Sequence, residues 1–572
     1  MSLFVKKPLS QLLVESSDTE NGLKKTLSAG ALIALGIGAV IGAGLFSITG
    51  IAAANHAGPA IVISFIIAAV GCAFAGLCYS EFASMIPVAG SAYTYSYATL
   101  GEFVAWIIGW DLVLEYAVGA ATVASSWAGY LEKLLESWGL SLPHQLYMTP
   151  FDSATLANGT VIHGMINLPA VFIVVVMSLV LIRGTQESSW VNNIIVILKV
   201  SIVIIFIIVG FKYIRPVNLH PFIPQNNGHF GEFGWSGIIR AAGIVFFAYI
   251  GFDAVSTAAQ ETKNPKRAMP IGILGALFIC TVLYILFAYV MTGVANYTTF
   301  GHGGNELAPV ATAISQMGPM GANGVVTPAF PWLNRLIIIA ILLGYSSVIL
   351  VMLLGQSRVF YSMSKDGLLP RIFSDLHAKF RTPAKSNLLF MILVSTFAAF
   401  IPGRIVGEMT SIGTLLAFIL VCIGIIVMRR TMPDAPRAFR TPLVPLIPAL
   451  GILVCFAMMV FLPLDTWIRL IAWMMVGFDI YLSFGIRKSH LADLDKREDT
   501  ARSTRVTSLC GLGLCVILAV VTILHHDLNP EQSGLIIFAI VMCVFHVLYY
   551  LYYLAVKTRK IITGEKENVL EH

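Results

Sequence analysis

Three ionisable side chains stand deep inside long apolar runs. They are Glu115 in Trp110-Asp-Leu-Val-Leu-Glu115-Tyr-Ala, Lys199 in Asn192-Asn-Ile-Ile-Val-Ile-Leu-Lys199-Val-Ser-Ile-Val, and Asp253 in Phe246-Phe-Ala-Tyr-Ile-Gly251-Phe-Asp253. At such positions an ionisable group is costly unless it pairs, binds a ligand or moves a proton, so each is a functional candidate. A buried lysine can exchange its proton, which makes Lys199 a candidate for proton coupling. Its alternative is a fixed pair with a carboxylate or with carbonyls. Glu115 suits reading a substrate side chain, pairing with Lys199 or shuttling a proton. Asp253 suits similar work, or it caps the half-helix that follows it. Glu81, nearer the end of its run, reads as a structural hydrogen-bonding residue. No nucleophile–base pair, metal-ligand spacing or phosphate loop occurs, so neither an enzyme nor a cofactor is expected.

Two of the runs break their own helical rules. The first contains Gly36-Ile-Gly38-Ala-Val-Ile-Gly42-Ala-Gly44. Glycine costs a helix about 1 kcal/mol relative to alanine, and four at this density favour local unwinding. Close packing through small residues is the competing explanation. The run around Asp253 shifts the balance, because Gly251 and an ionisable group sit at its middle, five runs later. Unwound backbone in lipid survives only where it lines a protein cavity. Interrupted helices at matching positions of two halves mark a binding site near the midplane. Half-helix N-termini offer N–H groups to an anion, and opposed C-termini offer carbonyls to a cation. Together these suit a zwitterion with one carboxylate and one ammonium.

The elements that must position these groups are membrane spans. Of 572 residues, 57% are hydrophobic and 12% charged, against roughly a quarter charged in a soluble domain. About 20 apolar residues span a bilayer, and roughly fourteen runs reach that length. Expected spans 1 to 5 cover 28–53, 59–86, 101–128, 167–183 and 187–213. Spans 6 to 10 cover 236–261, 268–295, 333–363, 385–402 and 405–428. Spans 11 to 14 cover 442–463, 466–486, 506–526 and 534–556. The first run is too long for a signal-peptide core, so it is expected to be retained. With the N-terminus inside, 28 of the 36 Lys and Arg residues fall on inner segments and 7 on outer ones, which predicts cytoplasmic termini. The basic balance thus reflects topology, not nucleic-acid binding. All eight cysteines lie in apolar runs without metal spacing and read as small buried hydrophobes.

At this point three separated motifs resemble a known family. Gly38-Ala-Val-Ile-Gly42-Ala-Gly44-Leu-Phe46 resembles the first-span signature of the amino acid–polyamine–organocation (APC) superfamily. Phe247-Ala-Tyr-Ile-Gly-Phe-Asp253, followed by Glu261-Thr-Lys-Asn-Pro-Lys-Arg267-Ala-Met-Pro270, resembles its sixth span and the loop after it. Gly355-Gln-Ser-Arg358 through Lys365-Asp-Gly-Leu-Leu-Pro370 looks like its eighth-span exit. The match runs from about 24 to 486. Fourteen spans are most similar to the cationic amino acid transporter (CAT) branch and its bacterial relatives.

The resemblance implies an all-α polytopic membrane protein of the LeuT type, with two inverted repeats of five helices. On that plan, 1–27 is a cytoplasmic N-terminal segment and 28–428 the transport core, with repeats at about 28–213 and 236–428. Helices 11 and 12 occupy 442–486, two extra helices 506–556, and a cytoplasmic tail 557–572. The family's pattern would place the substrate carboxylate on the backbone N–H groups around Gly42, Ala43 and Gly44, next to Ile41. The substrate ammonium would meet carbonyls of Val40, Phe247 and Ile250. Phe247 would gate the pocket, with Ala43 and Ala248 leaving space for a side chain. Lys199 would hold a sodium-like position bordered by Ser346 and Ser347. The implied activity is proton-coupled import of a cationic or small neutral L-amino acid across a cell membrane. Sodium coupling or exchange on the same fold is the alternative, and a non-transporting sensor is a further one. Amino acid, proton and lipid are the expected partners, with no nucleic acid and no obligatory protein subunit.

Overall fold

The computed structural model describes residues 2–9, 12, 27–86, 91–155, 161–184, 189–257, 259, 262–301, 308–320, 326–380, 382–489, 497–528 and 533–563. Glu261 of the second motif, most of the N-terminal segment and the end of the tail lie outside these residues.

Ser28 opens the first helix, α1 (Ala29–Val40), by accepting the Ala31 N–H on its hydroxyl at 3.3 Å. This satisfies one of the donors that every helix start leaves free. After a two-residue break the chain continues as α2 over Gly44–Ile48, Thr49–Ala52 and Ala53–Ala57. It then forms α3 (Ile61–Met85), the short α4 (Ser91–Thr99) and α5 (Glu102–Ser137). Helices α6 (Leu168–Arg183), capped by Asn167, and α7 (Ser189–Phe211) follow. The second broken span comprises α8 (Gly234–Val245), a 3₁₀ turn Phe246–Tyr249 and the short α9 (Ala254–Thr257). Then come α10 (Pro265–Val294), α11 (Pro309–Ser315), α12 (Pro331–Lys365), α13 (Ala384–Phe400) and α14 (Gly403–Thr431). The chain ends with α15 (Leu446–Phe461), α16 (Leu464–Lys488), α17 (Arg497–Leu528) and α18 (Ser533–Tyr552).

Among the described residues nine helices are long and apolar enough to cross a membrane, and five shorter apolar helices accompany them. This is a multi-pass membrane protein. Side chains such as Ile197, Ile208, Phe278, Leu453, Val516 and Phe538 are exposed on the bundle's outside, as lipid contact requires. Inside, α3 packs on α10 and α8, α5 on α12, and α6 on α13. α17 and α18 pack on each other and on α16, at one side of the bundle.

Three elements depart from the expected pattern. Residues 91–99 form α4, which was expected as a connection. Every residue of it is buried, so protein and not lipid surrounds it, and no apolar run is needed. α5 continues to Ser137, well past the expected end at 128. The outer segment after it carries a small antiparallel hairpin, Ser153–Thr155 with Val161–His163, so the chain is not purely helical.

Candidate functional site

Both expected breaks are present. At Ile41 the backbone leaves the helical region (φ −73°, ψ 101°), and helix resumes beyond Gly42. The N–H groups of Leu45 and Phe46 both donate to the Gly42 carbonyl at 3.2 Å. The N–H groups of Gly42, Ala43 and Gly44 therefore stand at a new helix start, which supplies no intrahelical acceptor for them. In the second break Ile250 is extended (φ −59°, ψ 136°) and Gly251 has φ +108°, a conformation that excludes most side chains.

The breaks touch. A Cβ placed on Gly44 would lie 2.2 Å from the Ala248 Cα, and one on Gly251 would lie 3.1 Å from the Ala39 carbonyl. Glycine at position 44 is thus required by the approach of a second backbone. Phe247 is buried, and its carbonyl accepts the Ile250 N–H at 3.2 Å. The Val40 carbonyl, expected to face an ammonium, is also already engaged. The Tyr284 hydroxyl lies 2.9 Å from the Val40 carbonyl and 2.8 Å from the Ala248 carbonyl. One O–H proton serves two acceptors there, so Tyr284 on α10 clasps the first break to the second. Nothing in the apolar run around it singles out this tyrosine, although a buried phenol must find a partner.

Lys199 on α7 is buried, and its Nζ donates to the Gly38 carbonyl at 2.7 Å. Gly38 belongs to the last turn of α1, where carbonyls lack intrahelical donors and favour a cation. The lysine stem passes Gly344 on α12, where a Cβ would come within 3.0 Å of Cε. Ser346 and Ser347 do not bind the ammonium. Their hydroxyls turn back along α12 to the Leu342 and Gly344 carbonyls, both at 2.9 Å. Pairing of Lys199 with Glu115 is absent; the ammonium's partner is the Gly38 carbonyl.

Asp253 lies two residues past Gly251 of the second break, and Glu115 lies within α5. The Asp253 carboxylate accepts the Tyr116 hydroxyl at 2.6 Å and the Ser91 hydroxyl at 3.4 Å. It does not cap α9; the Ser256 N–H bonds instead to the Asp253 backbone carbonyl at 2.7 Å. Glu115 sits in a π-helical turn, Leu114–Val118, inside α5. Such turns displace side chains from the regular helix surface and recur at functional sites. Glu81 is structural, as expected. Its carboxylate meets Arg429 Nε at 2.8 Å and Arg437 Nε at 3.1 Å, and accepts the Thr441 N–H at 2.8 Å.

The profile of the family described as amino acid permease matches residues 27–480, which takes in both breaks and Lys199. The chain is 41% identical to the methylthioribose transporter of Bacillus subtilis (strain 168) over 490 residues, 86% of this chain and 99% of that protein. It is equally 41% identical, with the same coverage, to the branched-chain amino acid permease BcaP of that organism. It is 34% identical over 437 residues to the vacuolar cationic amino acid transporter 4 of Arabidopsis thaliana, covering 76% and 68% of the two chains. A family profile over residues 27–480 and near-full-length relatives at 41% identity place the chain in the amino acid permease family, a family of membrane transporters within the APC superfamily.

Proposed function

We propose that the protein is a secondary active transporter that imports an amino acid together with a proton, by alternating access. The observation that carries this reading is the bond from Lys199 Nζ to the Gly38 carbonyl, next to the break in the first span. A charged ammonium holds that carbonyl more strongly than a neutral amine does. Loss of the proton would weaken the tie between α7 and α1 and free the inner half of the first span to move. A positive charge at this position argues against sodium there.

The substrate carboxylate would take the N–H groups of Gly42, Ala43 and Gly44, beside Ile41. Its ammonium would take the carbonyls of Val40, Phe247 and Ile250 once Tyr284 yields Val40, with Phe247 as the gate and Ala248 at the side-chain end. The core would consist of two inverted repeats, about 28–213 and 236–428. Packing supports this: α3, α5 and α6 each lie against the helix five spans later, α10, α12 and α13. Fourteen spans with both termini on the cytoplasmic face of a cell membrane follow from the apolar runs and the Lys/Arg distribution.

A second substrate class is favoured by the equal identity to the methylthioribose transporter. A thiosugar has neither carboxylate nor ammonium and would leave the helix-end groups unmatched. A thermal-shift screen of the purified protein against the twenty amino acids and methylthioribose separates the readings. A ligand at 100 times its dissociation constant adds about 2.7 kcal/mol of stability. Stabilisation by branched-chain, small or cationic L-amino acids is expected. Stabilisation by methylthioribose alone would replace the zwitterion reading.

A further inference from the structure

Three carboxyls are wholly buried: Asp111 and Glu115 on α5, and Asp253 between α8 and α9. Both oxygens of Glu115, both of Asp111 and Oδ1 of Asp253 have no hydrogen-bond partner among the described residues. No Lys, Arg or His among the described residues forms an ion pair with any of the three. Glu115 faces Asp253, with Thr414 of α14 beside it and Asp111 one turn back along α5. The Tyr79 hydroxyl, from α3, is also buried and unpartnered, with Asp253 and Glu115 among the charged groups near it. Tyr95 of α4 and Tyr116 of α5 complete the titratable groups around it.

Two adjacent carboxylates without a counter-ion are not stable in such a place. Burial strongly disfavours each ion in a protein interior, and neighbouring like charges there cannot both ionise. We propose that Glu115 and Asp253 form a proton-sharing carboxyl pair, a second protonation site separate from Lys199. The donors decide which partner is charged. Tyr116 and Ser91 both donate to Asp253 Oδ2, which stabilises Asp253 as the carboxylate. The remaining Asp253 oxygen, Oδ1, lacks a donor, and the Glu115 carboxyl, raised on its π-helical turn, carries the proton that fills it. The pair therefore holds one proton and one negative charge. Because it sits against the second break while Lys199 sits against the first, each half of the core has its own proton-sensitive contact. The coupling role of the pair rests on the transport reading above; the presence of the proton does not.

The test is infrared difference spectroscopy of the purified full-length protein, between acidic and alkaline buffer, in H₂O and D₂O. A protonated-carboxyl C=O band present at neutral pH is expected. Asp111, buried without a counter-ion, contributes a band of its own that Asp111→Asn removes; Glu115→Gln should remove a separate component, which Asp111→Asn and Lys199→Ala should leave in place. The proposal is overturned if no such component exists at neutral pH, if Asp111→Asn alone removes it, or if L-arginine abolishes it while L-leucine does not. That last outcome would make the pair a seat for a cationic side chain. The Asp111→Asn spectrum keeps the test decisive should Glu115→Gln fail to fold. None of these readouts needs transport, so a failure here is distinct from a failure of the proposed function.

Discussion

Lys199 Nζ stands 2.7 Å from the Gly38 carbonyl oxygen, tying the middle of α7 to the last turn of α1. The tie lies two residues before α1 ends at Val40, whose own carbonyl is held by Tyr284. Two polar side chains from two different helices therefore grip carbonyls two residues apart at one helix end. A change in either alters how firmly the first span is anchored to the rest of the core.

Removing the Tyr284 hydroxyl tests the clasp. In Tyr284→Phe the Val40 and Ala248 carbonyls lose their shared donor in a buried setting, which costs about 1–3 kcal/mol. Folding should survive, since the ring keeps its packing. A lower thermal midpoint with a changed KM for uptake is expected. Wild-type values for both would show that the clasp is incidental.

Gly44 and Gly42 should respond differently to the same methyl group. Gly44→Ala places a Cβ 2.2 Å from Ala248 Cα, a backbone atom that cannot step aside. Overpacking of this kind costs about 1–3 kcal/mol. It falls on the contact between the breaks, so uptake should drop roughly ten- to hundredfold. Gly42→Ala meets only the Val348 side chain, at 3.4 Å, and should keep most activity. Uptake assays on both variants in proteoliposomes, normalised to protein content, check the contrast.

Much of this site was legible in the sequence for a physical reason. A charge or a glycine cluster inside a lipid-length apolar run is expensive, so Lys199, Asp253, Glu115 and Gly42 stood out before any coordinates. Tyr284 did not, because one tyrosine among apolar neighbours reads as filler until its hydroxyl's partners are known. Nor did α4, where Ser91-Ala-Tyr93-Thr-Tyr95-Ser-Tyr97 has neither the length nor the apolarity of a span. Its surroundings are protein, and hydropathy reports only on lipid. The two serines of α12 were placed by analogy, and their hydroxyls instead satisfy their own helix, as Ser and Thr in helices often do.

Glu81 gives a stability prediction separate from transport. Glu81→Gln would leave Arg429 and the fully buried Arg437 without their counter-ion. Breaking a buried pair by removing one partner costs about 3–5 kcal/mol. The purified variant should show a markedly lower unfolding temperature, while substrate selectivity measured by thermal shift stays unchanged. An unaltered unfolding temperature would mean that these ions contribute nothing net.

The central claim is that Lys199 carries the coupled proton, and uptake into proteoliposomes under an imposed pH gradient tests it most directly. Wild-type protein should concentrate the amino acid found in the binding screen when the outside is acidic, and should stop when the gradient is collapsed. Lys199→Ala should bind the same amino acid but fail to concentrate it. If Lys199→Ala still concentrates substrate with an unchanged dependence on pH, the proton is carried elsewhere and the account is contradicted.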